Sequence, residues 1–377
     1  PLRLLVCTSG TLDARGGGGD ASHGGAWGFA RVLRLERVTA HTQSTDVSCG
    51  AIMVASSALL VPSAEGEAAW QRDGTRAVAR LRACTAVAAC DGSLSRGVYA
   101  ITGGLGGLGL RAAAMLVSGD ASRVLLASRS GRVMRDGQGL DAQLGSMGMA
   151  AALLACDSAD SEALVALLSW HSATAVLHAS GVGDKGLLVE LGCQRVAWMY
   201  ASKAFGAWHL QCSAAMTPLE ARVLFSSVGA GLGNVGQANY ASGNACLDAH
   251  AFSRRARGVG ACSVQWPLVG GAGMGADAFG AVAERQVRIA GLAGISLEEY
   301  AVCLGRQLAP GLALAVSVQM AHESHVHGLL QDLSDPSELR FGELAALDGD
   351  DGARGGRGSA PPTVASSTLV RSLAPLA

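Results

Sequence analysis

From residue 98 to residue 266, short apolar runs alternate with longer segments of helical periodicity, and this alternation limits the possible folds more than any other feature. Runs over 98–102, 124–127, 150–156, 173–178, 221–226 and 261–266 read as strands. Segments 110–117, 159–169, 195–213 and 236–258 read as the helices between them. Strands that alternate with helices of this length pair in parallel through right-handed crossovers. The runs are almost continuously apolar, as strands covered on both faces must be. The expected fold class is therefore α/β, a doubly wound parallel sheet.

The turn after the first of these strands carries chemistry. Thr102-Gly103-Gly104-Leu105-Gly106-Gly107-Leu108-Gly109 follows a strand and opens a helix. Glycines there let the chain turn tightly and bring backbone N–H groups up to a pyrophosphate, with the positive helix end behind them. The flanking strand, helix and next strand make the pattern more specific than glycine spacing alone. That next strand runs into Ser128-Arg129-Ser130, with Arg129 standing 20 residues beyond Gly109. An acidic residue there would take the ribose hydroxyls of NAD. An arginine suits a 2′-phosphate, so the pattern favours NADPH. Asp157, at the end of the third strand, is open to two roles: acceptor for the adenine amine, or cap of the following helix.

The rest of the chain divides around this unit. Residues 1–94 read as a smaller α/β piece, with a strand over 2–6, a helix over 26–36 and a strand pair near 52–60 and 77–81. Its polar positions form no catalytic cluster, so it reads as structural support. A catalytic unit is expected over 95–335, with a lid near 271–296 just past a strand end. The apolar run 308–321 contains Pro310 and Gln319 and suits a buried strand, not a membrane span. The glycines at 16–19 read as a flexible insertion, and 340–377 as a poorly ordered linker. A start at Pro1 directly into an apolar run suggests a piece of a longer polypeptide.

Charge and cysteine usage narrow the partners. The 29 basic and 30 acidic residues leave a net charge of −1, without the basic excess that nucleic acid or an anionic membrane surface calls for. The ten cysteines show no CxxC pair and read as reduced core thiols of an intracellular, cytoplasmic protein. His322, His325 and His327 lack an HExxH spacing and read as polar linker, so no metal is expected.

A second constellation lies further along. Ser227 ends the fifth strand, and Tyr240 follows thirteen positions later within Asn239-Tyr240-Ala241-Ser242-Gly243-Asn244. In a doubly wound sheet both project toward the cofactor crevice. Tyr240 and Asn244, four apart, share a helix face. These residues resemble the short-chain dehydrogenase/reductase superfamily, which uses serine, tyrosine and lysine together. An ordinary member carries lysine where this chain has Asn244. The ketoreductase domains of modular (type I) polyketide synthases exchange the two positions. The segment Ala201-Ser202-Lys203-Ala204-Phe205-Gly206-Ala207-Trp208-His209-Leu210 is similar to that family's lysine segment. Ala26-Trp27-Gly28-Phe29-Ala30-Arg31-Val32-Leu33 and Ala69-Trp70-Gln71-Arg72-Asp73-Gly74 resemble its structural subdomain. Val176-Leu177-His178-Ala179-Ser180-Gly181-Val182 resembles its nicotinamide-side segment.

The resemblance implies a Rossmann-like catalytic subdomain behind a truncated Rossmann-like structural one. It implies NADPH-dependent reduction of a β-ketoacyl thioester on an acyl carrier protein, among neighbouring synthase domains. Tyr240 would donate the proton, Lys203 would favour the phenolate left behind, and Ser227 would orient the carbonyl. Asn244 would hold a water relay or position Lys203. A catalytically inactive reductase-like scaffold and a free-standing carbonyl reductase are the alternative readings. Two stereochemical markers of the family differ here. Gly183-Asp184-Lys185 replaces Leu-Asp-Asp, and Leu232 stands eight residues before the tyrosine in place of tryptophan, which leaves the hydroxyl configuration open.

Overall fold

The computed structural model describes residues 2–12, 20–48, 63–84, 96–133, 139–214, 217–270, 294–308, 318–320, 330, 333, 335–346 and 368–375. The first part of the chain contains β1 (Arg3–Ser9), α1 (Gly24–Glu36), β2 (His41–Val47), β3 (Glu67–Trp70) and β4 (Arg76–Cys84). The alternating part begins with β5 (Val98–Thr102), α2 (Gly107–Ser118), β6 (Arg123–Ser128), α3 (Leu140–Met147), β7 (Ala151–Ala155), α4 (Ser161–Trp170) and β8 (Ala175–His178). Next, α5 (Cys193–Tyr200) passes through a π-helical turn (Ala201–Phe205) into α6 (Gly206–Ser213). Then come β9 (Ala221–Ser227), α7 (Val228–Leu232), α8 (Ala238–Ala256), β10 (Cys262–Trp266), α9 (Leu297–Leu308), β11 (Val318–Met320) and β12 (Thr368–Pro375).

The twelve strands of the described residues share one sheet, in the order β1-β2-β3-β4-β12-β11-β10-β9-β8-β5-β6-β7. From β11 to β7 every neighbouring pair is parallel. The order reverses at β5, with β6 and β7 to one side and β8, β9 and β10 to the other. This is the expected doubly wound α/β arrangement, and it opens a crevice at the carboxyl ends of β5 and β8, where Thr102 pairs with His178. Strand alternation places the core on both faces. Ile101, Leu126, Leu177 and Val223 pack with Leu110 and Leu116 of α2 and Leu304 of α9. Ala100, Leu125 and Val176 point the other way, to Leu164 and Leu168 of α4 and Leu210 of α6. Complete burial of each leucine or isoleucine stabilises the fold by about 1.5–3 kcal/mol.

The first half is held together and joined to the rest by buried polar groups as well as by close packing. Strand β2, His-Thr-Gln-Ser-Thr-Asp-Val, has no apolar alternation, which is why sequence periodicity passes over it. Its buried Asp46 accepts from Thr8 Oγ1 at 2.6 Å, Thr11 N at 3.0 Å and Leu12 N at 2.9 Å, and so ties β2 to β1. Helix α1 lies on α8 so closely that a Cβ on Gly28 would run into the Ala241 carbonyl, and glycine is required there. Arg31 of α1, 4% exposed, meets Glu67 of β3 at 2.7 Å and also donates to the Ala230 carbonyl in α7.

Several expectations change. The strand expected over 77–81 belongs to β4, while 52–60, the lid residues 271–293, the glycines at 16–19 and the three histidines lie outside the described residues. Helices α3 and α7 were not expected; each is short, at 8 and 5 residues, and gives little periodic signal. The unstructured tail expected over 340–377 is corrected in two places. Phe341 and Leu344 pack with Leu81, Val228 and Leu330, and Thr368–Pro375 pairs antiparallel with β4 and β11. The β-forming run Thr368-Leu369-Val370 was hidden by the Gly- and Pro-rich composition before it. Among the described cysteines all are free, but Cys7, Cys193 and Cys212 are exposed and so are not core thiols. Among the described residues no helix is long and apolar enough to cross a membrane.

Candidate active site

The cofactor turn is shaped by its glycines. Gly103 has φ +69°, in the left-handed region that favours glycine, and a Cβ there would lie 2.6 Å from the Ser180 N atom. A Cβ on Gly109 would strike the Gly103 carbonyl. Helix α2 starts behind Gly106 without a side-chain cap, so its first N–H groups face the turn. This cradle of close backbone and open helix N-terminus fits a pyrophosphate. The Leu105 side chain is fully buried in the core, so any part that this residue has in the turn is through its backbone. Leu108 packs against the same core, and its carbonyl accepts from Tyr300 Oη at 2.8 Å. Gly104, Gly106 and Gly107 complete the turn, and Ala179 N donates to the Thr102 carbonyl at 2.9 Å.

At the edge of the crevice, the Ser128 hydroxyl accepts from Gly131 N at 3.1 Å, and Arg129 is exposed beside it. Asp157 is exposed, with one oxygen accepting from Ala159 N at 3.0 Å. The cap of α4 is Asp160 and not Asp157. His178, expected to line the nicotinamide, is wholly buried and engaged on both ring nitrogens. Nδ1 lies 2.7 Å from Thr102 Oγ1 and Nε2 lies 3.2 Å from the Lys203 carbonyl. The carbonyl only accepts, so Nε2 carries the proton and Thr102 donates to Nδ1. Burial holds this ring neutral, with its pKa near 3. His178 therefore ties the cofactor turn to the lysine's helix and points no polar atom into the crevice.

Lys203, Ser227, Tyr240 and Asn244 come from three separate elements and meet at the carboxyl edge. The π turn turns the 4%-exposed Lys203 inward, and Nζ donates to the Phe225 carbonyl at 3.0 Å. The same Nζ lies 5.9 Å from the centroid of the Tyr240 ring. Burial pulls its pKa down to about 8, against the opposing pull of Asp248. Burial pushes the Tyr240 phenol above its ordinary value, and the neighbouring Ser227 and Asn244 side chains pull it back. Asn244 Nδ2 donates to the Tyr240 carbonyl at 2.9 Å, leaving its buried Oδ1 without a partner among the described residues. Asp248, one turn further along α8, is held by Ser263 Oγ at 2.7 Å and Gln265 Nε2 at 2.6 Å.

One cluster escaped the sequence reading. Asp184 accepts from Arg195 Nε at 2.9 Å and Nη2 at 2.6 Å, and from Asn239 Nδ2 at 2.6 Å. It thus holds the segment after β8 against the residue that precedes Tyr240. The altered marker at 183–185 pointed to this segment, but nothing in the sequence paired it with Arg195.

A doubly wound sheet with a glycine turn at its switch point, and serine, tyrosine and lysine beside it, is the arrangement of the short-chain dehydrogenase/reductase class. The KR domain family model matches residues 97–271. A solved structure described as A-type ketoreductases from a modular polyketide synthase is 32% identical, covering 84% of this chain and 68% of its own, with a TM-score of 0.69. An A1-type ketoreductase structure is 30% identical, covering 91% and 74%, with a TM-score of 0.74. Polyketide synthase GfsB of Streptomyces halstedii is 39% identical over 220 residues, 57% of this chain and 4% of the synthase. The chain belongs to the ketoreductase domain family of modular polyketide synthases, and it spans a small part of the synthase polypeptide to which it is compared.

Proposed function

We propose that the chain reduces a β-ketoacyl thioester, presented by an acyl carrier protein among neighbouring synthase domains, to the β-hydroxyacyl thioester with NADPH. The observation that carries this reading is the buried Lys203 Nζ 5.9 Å from the Tyr240 ring, with Ser227 at the end of the strand beside them. When bound, the reduced nicotinamide supplies hydride to the β-carbon. Ser227 Oγ hydrogen-bonds the carbonyl oxygen and orients it. Tyr240 gives its proton to that oxygen as charge develops there. Lys203 lowers the cost of the phenolate that remains. The unpartnered Asn244 Oδ1 suits a water that would return a proton toward the phenol. Thr102 to Gly109 would hold the pyrophosphate and Arg129 the 2′-phosphate. Ala179 and Ser180 would flank the nicotinamide. The reading is tested by NADPH consumption with a short β-ketoacyl thioester. An absence of turnover and of NADPH binding would leave only the scaffold reading.

Two outcomes follow for this site. Arg129→Glu lowers the ratio of kcat/KM with NADPH to that with NADH by about tenfold or more, because a bidentate charge-assisted contact is replaced by repulsion. Equal activity with both cofactors in the unmutated chain would remove Arg129 from this role. In the reductive direction kcat/KM falls as pH rises through about 8, because Lys203 loses its charge there. Its folded-state pKa lies below the ordinary 10.5, so between these values the unfolded chain binds more protons and this group makes the fold more stable as pH rises. A fall in rate above pH 8 with an undiminished melting temperature separates this titration from unfolding.

A further inference from the structure

Helix α1 ends in a carboxylate. Glu36 is its last residue, at the helix end where aligned peptide dipoles disfavour negative charge. Its partners explain its place. Oε2 accepts the N–H of Leu188 at 2.8 Å, and Oε1 accepts the N–H of Gly236 at 2.8 Å. The two donors belong to opposite walls of the site. Leu188 opens the short 3-10 turn Leu188–Glu190 in the segment after β8. That segment lines the site, because a Cβ on Gly181 would lie 2.9 Å from Lys203 Nζ and Asp184 grips Asn239. Gly236 lies four residues before Tyr240, in the turn that enters α8. The walls also touch directly, with Gly186 N donating to the Gly236 carbonyl at 2.8 Å. The catalytic half supplies the Asp184 tie, and the other half reaches in with Glu36.

We propose that Glu36 is a positioning residue for the acyl thioester. From the noncatalytic half, it holds segment 181–191 in register against the turn before Tyr240 and so sets how the keto chain lies across the phenol. This rests on the reading of the site given above. A carboxylate suits the task because both oxygens only accept. Glu36→Gln keeps one acceptor and turns an NH2 donor toward the other backbone N–H. The segment then loses a fixed point, and a misplacement of about 1 Å is enough to slow a positioned reaction substantially.

The test uses the full chain with NADPH and the N-acetylcysteamine thioester of a short β-keto acid. Glu36→Gln raises KM for the thioester about tenfold and changes the ratio of the two hydroxyl epimers, while the Kd for NADPH stays within about twofold. Leu188→Pro probes the same tie from the other side. Residue 188 opens its 3-10 turn and Leu187 is extended at ψ 158°, a setting in which proline is tolerated. The substitution removes the N–H that Glu36 accepts, with Leu188→Ala as the control for the lost side chain. Leu188→Pro is expected to reproduce Glu36→Gln, Leu188→Ala is not, and the double variant is expected to show less than the product of the two single effects. A wild-type KM and epimer ratio in Glu36→Gln overturns the proposal, as does multiplicative behaviour of the double variant. Should the unmutated chain reduce no thioester, amide hydrogen exchange decides separately. Faster exchange confined to Leu188, Gly236 and their neighbours in Glu36→Gln supports the tie, and unchanged exchange at both refutes it.

Discussion

Replacing Tyr240 with phenylalanine is expected to lower NADPH consumption on a β-ketoacyl thioester by about 10³-fold, within the range that a lost general acid commands. The phenol is the proposed proton donor: the Lys203 Nζ stands 5.9 Å from its ring, and the Ser227 side chain counters the rise that burial gives its pKa. Phenylalanine keeps the ring and its packing on α8, so the fold and the Kd for NADPH should be preserved. Binding is read by quenching or enhancement of cofactor fluorescence, and turnover by absorbance. Full turnover in Tyr240→Phe would remove the phenol from the mechanism. Loss of cofactor binding together with turnover would instead show that the ring shapes the crevice.

The largest effect on stability is expected at Arg31, far from the reacting atoms. Its guanidinium is 4% exposed and depressed by burial to a pKa of about 10, so it remains charged at neutral pH. It joins three elements: α1, which carries it; β3, through Glu67 Oε1 at 2.7 Å and Oε2 at 3.1 Å; and α7, through the Ala230 carbonyl. Arg31→Met fills similar space without charge and should cost about 3 kcal/mol, toward the low end of the penalty for breaking a buried pair. The low end is expected because Glu67 keeps Arg34 Nη1 at 3.1 Å. A urea midpoint within error of the unmutated chain would refute this. Adding Glu67→Gln should recover part of the loss, since it removes the carboxylate left without its closer partner. Arg31→Lys should not rescue, because an ammonium cannot reproduce the fork that reaches Glu67 and Ala230 together. Because α7 starts directly after Ser227, kcat/KM should fall as well.

The residues that were legible in sequence are those whose signals are local. Apolar runs of strand length separated by helical periods indicated β5 to β10, and the core they make needs only size and hydrophobicity at the right spacing. The glycine turn was legible because its spacing lies in one short stretch, as where Gly109 meets the Gly103 carbonyl, although Gly103 also answers to Ala179 and Ser180 after β8. Tyr240 and Asn244 were legible as one helix face. Strand β2 was not, because most of its buried side chains are polar, and Asp46 finds its partner Thr8 38 residues away. His178 was placed in the right segment but on the wrong side: the sequence put it against the cofactor, whereas the folded chain gives it to Thr102 and the Lys203 carbonyl.

By itself, then, the sequence determined the α/β class, the order of the alternating elements and the residue types available for reduction. Periodicity and turn chemistry act over a few residues and survive in a linear text. Only the tertiary structure decided that Lys203 reaches Tyr240 through a π turn, that Asp184 and Glu36 hold opposite walls of one site, and that Arg31 links the two halves. Each of these depends on groups separated by tens to hundreds of residues, such as the 152 between Glu36 and Leu188. Their hydrogen bonds and buried charges form only once packing has excluded water and set the distance between them.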